Sequence, residues 1–66
     1  MIEGVVVDFD EARGDGLLRD GRGGEYYFHC VQIADQSRRI DVGAVVRFRR
    51  VVGLRGRDEA ADVEKL

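Results

Sequence analysis

Val5-Val6-Val7-Asp8-Phe9 opens a pattern that recurs along this 66-residue chain: a short β-branched or aromatic run, then a polar turn carrying glycine. β-Branched side chains are stiff at χ1, lose freedom in a helix and pack well on a pleated surface, so such runs predict strands. Leu17-Leu18-Arg19, Glu25 to His29 and Val45 to Val52 are the other runs. Between them lie Asp10 to Gly14, Asp20 to Gly24 and the polar stretch 34–39, and Gly53-Leu54-Arg55-Gly56 follows the last. Glycine tolerates the positive φ that tight turns demand. Strands spaced by roughly ten residues predict a small all-β barrel or sandwich. Residues 58–66 are ambiguous, because Asp58 followed by Glu59, Ala60 and Ala61 has a capping residue and a helical composition.

A chain this short buries only about 60% of the surface that its unfolded form exposes, so one domain over residues 1–66 with a thin core is expected. Cys30 is the only cysteine, which excludes an internal disulfide. Small secreted domains usually need such staples, so a reducing cytoplasm is the expected location. No apolar run is long enough to span a bilayer, and neither a membrane partner nor a signal peptide is expected.

Catalytic and metal chemistry find little to work with. His29 and Ser37 are single representatives of their types. A triad drawn through them has no more support than in any chain with one of each. His29 and Cys30 are neighbours, so in a strand they point to opposite faces and cannot share an ion. Asp8, Asp10, Glu11 and Asp15 lack the long ligand-rich loop of a calcium site. No enzyme activity, metal or cofactor is expected.

Charge is unevenly spread. Residues 1–37 carry a net −5, residues 38–57 a net +6 and residues 58–66 a net −3. The middle block is a solvated strand face balanced by neighbouring acids, or a surface for phosphate or an acidic partner.

The order of segments then becomes specific. Met1-Ile2-Glu3-Gly4 with Val6 and Phe9, Arg13-Gly14-Asp15-Gly16-Leu17-Leu18, Tyr26-Tyr27-Phe28-His29, Ile33, Gly43-Ala44-Val45-Val46-Arg47-Phe48, and Gly53 to Gly56 followed by Ala60-Ala61-Asp62-Val63 fall in one register, with single-residue slips near 37 and 58. In that order and spacing the chain resembles the cold-shock domain, of the small bacterial type, over nearly its whole length. The resemblance implies a five-stranded antiparallel Greek-key barrel of the OB-fold kind, with a strand rather than a helix over the tail. It also implies binding of single-stranded RNA or DNA, in the manner of an RNA chaperone. Tyr27 and His29 would then face the ligand. Tyr26 and Phe28 would face the interior with Val6, Leu18, Ile33, Ile40, Val46, Phe48 and Val63.

The family's binding face is an aromatic platform flanked by lysines. Here Asp8 stands where the family has tryptophan, Asp15 and Leu17 replace the two phenylalanines of the first motif, Cys30 replaces the aromatic after the histidine, and Val5 and Val7 replace lysines. Phe9, Arg13, Tyr27, His29 and Arg55 survive as the nucleic-acid-binding candidates. Each ring of such a platform contributes roughly 1–3 kcal/mol per stacked base, so binding is expected to be weak. The alternative is a fold turned to another partner through the basic surface of Arg38, Arg39, Arg47, Arg49 and Arg50. That partner would be structured nucleic acid, an acidic protein surface, or the acidic face of a second copy.

Overall fold

The computed structural model describes residues 1–53 and 56–66. The runs form five strands: β1 (Ile2–Asp10), β2 (Asp15–Asp20), β3 (Glu25–His29), β4 (Val45–Val52) and β5 (Asp58–Lys65). A single 3-10 turn, Cys30–Gln32, follows β3. No helix among the described residues is long and apolar enough to cross a membrane. The strands close into a barrel in the order β1-β2-β3-β5-β4.

All seams are antiparallel except β3–β5, which is parallel. Parity requires this. β3 runs the same way as β1, β4 runs against β1, and β5 runs against β4, so β5 meets β3 in the same direction. The barrel is the expected OB-like one, with that one seam departing from an all-antiparallel description.

Every residue assigned to the interior from alternation is buried: Val6, Leu18, Tyr26, Phe28, Ile33, Ile40, Val46, Phe48 and Val63. Tyr26 packs edge-on against Phe48 with centroids 4.9 Å apart. Its hydroxyl escapes the core by donating to the Asp20 carboxylate at 2.7 Å. Ile33 bridges in parallel to Val63, which ties the turn after β3 to the closing strand. Ala60 and Ala61 are also buried, at two consecutive positions that strict alternation would not give. The irregularity opposite Arg47 to Arg49 accounts for it, with Asp62 at φ +53° as the extra residue of β5. Aspartate tolerates this left-handed conformation better than most side chains.

The tail is therefore a strand despite its helical composition. Propensity differences amount to tenths of a kcal/mol per residue, whereas burying a side chain such as Val63 is worth roughly 1.5–3 kcal/mol. On the outside, β5 meets β4 through three ion pairs: Arg47 with Glu64, Arg49 with Asp62 and Arg50 with Asp58, each at 2.9 Å. Pairs this exposed are worth only about 0–1 kcal/mol each, so burial holds β5 in place and the pairs favour its register.

Gly16 in β2 makes the barrel wall thin where β1 crosses it. It lies opposite Phe9 on one side and Phe28 on the other. A Cβ there would collide with the Asp8 carbonyl oxygen and come within 2.9 Å of the Phe28 ring. Gly21, in the β2–β3 turn, faces open space. Gly16→Ala is expected to lose about 1–3 kcal/mol of stability through overpacking. Gly21→Ala is expected to lose far less, a contrast that urea unfolding of the two variants would measure.

Candidate nucleic-acid interface

The outer face of β1, β2 and β3 is organised in cross-strand rows. Asp8 lies opposite Leu17, Leu17 opposite Tyr27, and Tyr27 beside Glu59 of β5. The next row runs Asp10, Asp15, His29. Alternation alone would put Asp8 on the same side as Val6, in the core. A bulge between Val6 and Asp8 moves Asp8 outward.

The same bulge turns Phe9 the other way. Its ring stacks on buried Phe28, with centroids 5.9 Å apart and planes 13° from parallel. Phe9 is half-buried against the core and does not join the outer row.

Tyr27 and His29 do share the outer face, two residues apart on β3, with ring centroids 5.0 Å apart and planes at 87°. Tyr27 is half-buried and His29 exposed. Arg13 reaches them from the β1–β2 turn, where its backbone N–H donates to Asp10 at 3.0 Å. Gly14, at φ +76°, completes that turn against the Cys30 sulfur. Cys30 is half-buried and free, so it packs as a small apolar group. Arg55 lies outside the described residues.

Asp15 ties these groups together. One carboxylate oxygen accepts the Tyr27 hydroxyl at 2.8 Å and the other accepts Arg13 Nε at 2.9 Å. Its side chain is only 14% exposed, against 63% for Arg13. The hydrogen bond from Tyr27, then that from Arg13, holds the Asp15 carboxyl below the usual carboxylate range. The same contact raises the Tyr27 phenol and the Arg13 guanidinium above their ordinary values. From the sequence Asp15 reads only as a lost ring and an added charge. Its organising role depends on the register that sets β2 beside β3, which no local motif reveals.

Four of the five residues of the alternative basic surface are already engaged. Arg47, Arg49 and Arg50 each rest on a β5 carboxylate, and Arg39 lies 3.4 Å from Glu11. Arg38 is exposed at φ +60° and makes no ion pair among the described residues. The three arginines of β4 are thus neutralised across the β4–β5 seam.

No family model and no curated protein matches the sequence. Among solved structures, the chain matches "drosophila Unr CSD456", a protein carrying cold-shock domains 4 to 6, with a TM-score of 0.79 and 29% identity. The match covers 98% of this chain and 26% of that one, so this chain spans about a quarter of its length. The five-stranded barrel and the motif order agree with that likeness.

In fold and motif order the chain is similar to a cold-shock domain. Its outer face carries one tyrosine, one histidine and one arginine, and Asp15 gathers the tyrosine and the arginine.

A carboxylate whose folded pKa is depressed contributes stability above its unfolded pKa, and that contribution is lost as pH falls through the folded value. Relative to Asp15→Asn, the wild type is expected to keep a constant stability difference above about pH 5 and to lose it below about pH 4. Urea unfolding of both proteins across that range, with an NMR titration of the Asp15 carboxyl, checks the sign and the window.

Proposed function

We propose that this cold-shock domain binds single-stranded nucleic acid through Tyr27, His29 and Arg13, and binds it weakly. The observation that carries the reading is the shared outer face: two rings lie side by side on β3, with a guanidinium held beside them by Asp15. Rings stack on bases of any sequence, and the guanidinium supplies the cation for the phosphate backbone. The cold-shock-domain likeness supports the same class of ligand.

Two observations support weakness. Phe9 is committed to Phe28, which leaves two rings where the family has a platform. Asp8, Asp10, Asp15 and Glu59 line the same rows, so carboxylates oppose a passing phosphate chain. Weak, fast-releasing contact suits an RNA chaperone, which opens structure and lets go. A cytoplasmic setting fits this role and the single free thiol. The Arg-rich strand β4 is the poorer alternative, because its one ring, Phe48, is buried and leaves a base nothing to stack on.

Fluorescence anisotropy with a labelled single-stranded RNA of mixed sequence tests the reading. Tyr27→Ala is expected to weaken binding about tenfold or more, since one stacked base is worth roughly 1–3 kcal/mol. Arg47→Glu with Arg49→Glu is expected to leave it nearly unchanged. A nanomolar dissociation constant for the wild type at physiological salt would overturn the weakness, and insensitivity to Tyr27→Ala would overturn the site.

A further inference from the structure

Two carboxylates stand where the family stacks bases, and they are not equivalent. Both oxygens of Asp15 are occupied, one by the Tyr27 hydroxyl and one by the Arg13 guanidinium. Asp8 is exposed and has no hydrogen-bond or ion-pair partner among the described residues; Arg13 acts on it only at longer range. Glu59, at the far end of the row, folds its carboxylate back against Gly53. Asp8 therefore offers the platform a free acceptor along its β1 edge.

Its position relative to the platform follows from the register. Asp8 is directly opposite Leu17, which is directly opposite Tyr27. Opposed side chains on one face lie about 4.5–5.5 Å apart, so a base seated over Leu17 and Tyr27 presents its edge to Asp8. The Val6–Asp8 bulge is what brings this carboxylate to the outer surface.

An ionised carboxylate only accepts hydrogen bonds. Cytosine and adenine present an exocyclic amino group, a donor, where uracil and thymine present the O4 acceptor. We infer that Asp8 is a specificity-determining residue that favours amino-bearing bases over uracil and thymine on this face. With cytosine the amino group donates to Asp8. With uracil seated in the same orientation, O4 meets the carboxylate as one acceptor against another, and the base must shift to present its N3–H instead. This inference rests on the single-strand binding proposed above and names the kind of strand preferred.

Cytosine and uracil share one ring size, so the test compares oligocytidine with oligouridine of equal length by anisotropy at low salt. The wild type is expected to bind oligocytidine about tenfold more tightly, the order of discrimination that one good base-edge contact provides. Asp8→Asn and Asp8→Ser are expected to abolish the ratio, chiefly by improving oligouridine binding. Both variants also remove a charge, which raises affinity for the two oligomers alike, so the ratio isolates the base edge from the backbone effect. Asp8 is exposed, and circular dichroism of the variants verifies that the barrel is intact. Wild-type binding with no cytidine preference, or a ratio unchanged in the Asp8 variants, overturns the inference while leaving the site. Failure of both oligomers to bind overturns the single-strand reading and the preference with it.

Discussion

Closure of the sheet by β5 is the constraint on which the rest of this domain depends. Four strands alone would leave Phe48, Val46 and Phe28 against solvent along an open seam. β5 inserts between β3 and β4 and brings Ala60, Ala61 and Val63 into the gap. The two alanines matter by being small, because consecutive buried positions leave little room at the irregularity around Asp62. The arginine–carboxylate pairs outside this seam add little energy each, but they match one register and leave wrong ones with unpaired charges.

That ladder also bears on function. A block of arginines in sequence suggests a phosphate-binding surface. Across the β4–β5 seam the three arginines of β4 are matched by the carboxylates of β5. The electrostatic character of the opposite wall is set by aspartates, of which Asp15 is drawn inward by Tyr27 and Arg13 and Asp8 is left facing out. One fold thus carries two charged faces with different roles. One is satisfied internally and stabilises a seam. The other carries the exposed carboxylate of Asp8 beside the surviving rings.

The interior was legible from residue order because a strand alternates strictly. Tyr26 and Phe28 point inward whenever Tyr27 and His29 point outward, and one assignment carries the others. The tail was legible only by resemblance, since its local composition favours a helix and its strand is imposed by the neighbours it pairs with. Phe9 shows the limit of alternation. Its place against Phe28 depends on a bulge before Asp8, and a bulge leaves no signature in a run of three valines.

The sequence by itself determined the strand runs, their turns and the set of side chains that fill the barrel. Those follow from χ1 stiffness, glycine's backbone freedom and the two-residue period of a strand, all of which are local. Tertiary structure alone decided that Asp15 would organise Tyr27 and Arg13, that Phe9 would turn to the core, and that the arginines of β4 would be matched by β5. Each of these is set by cross-strand register, which joins residues far apart in the chain and is written in no single segment of it.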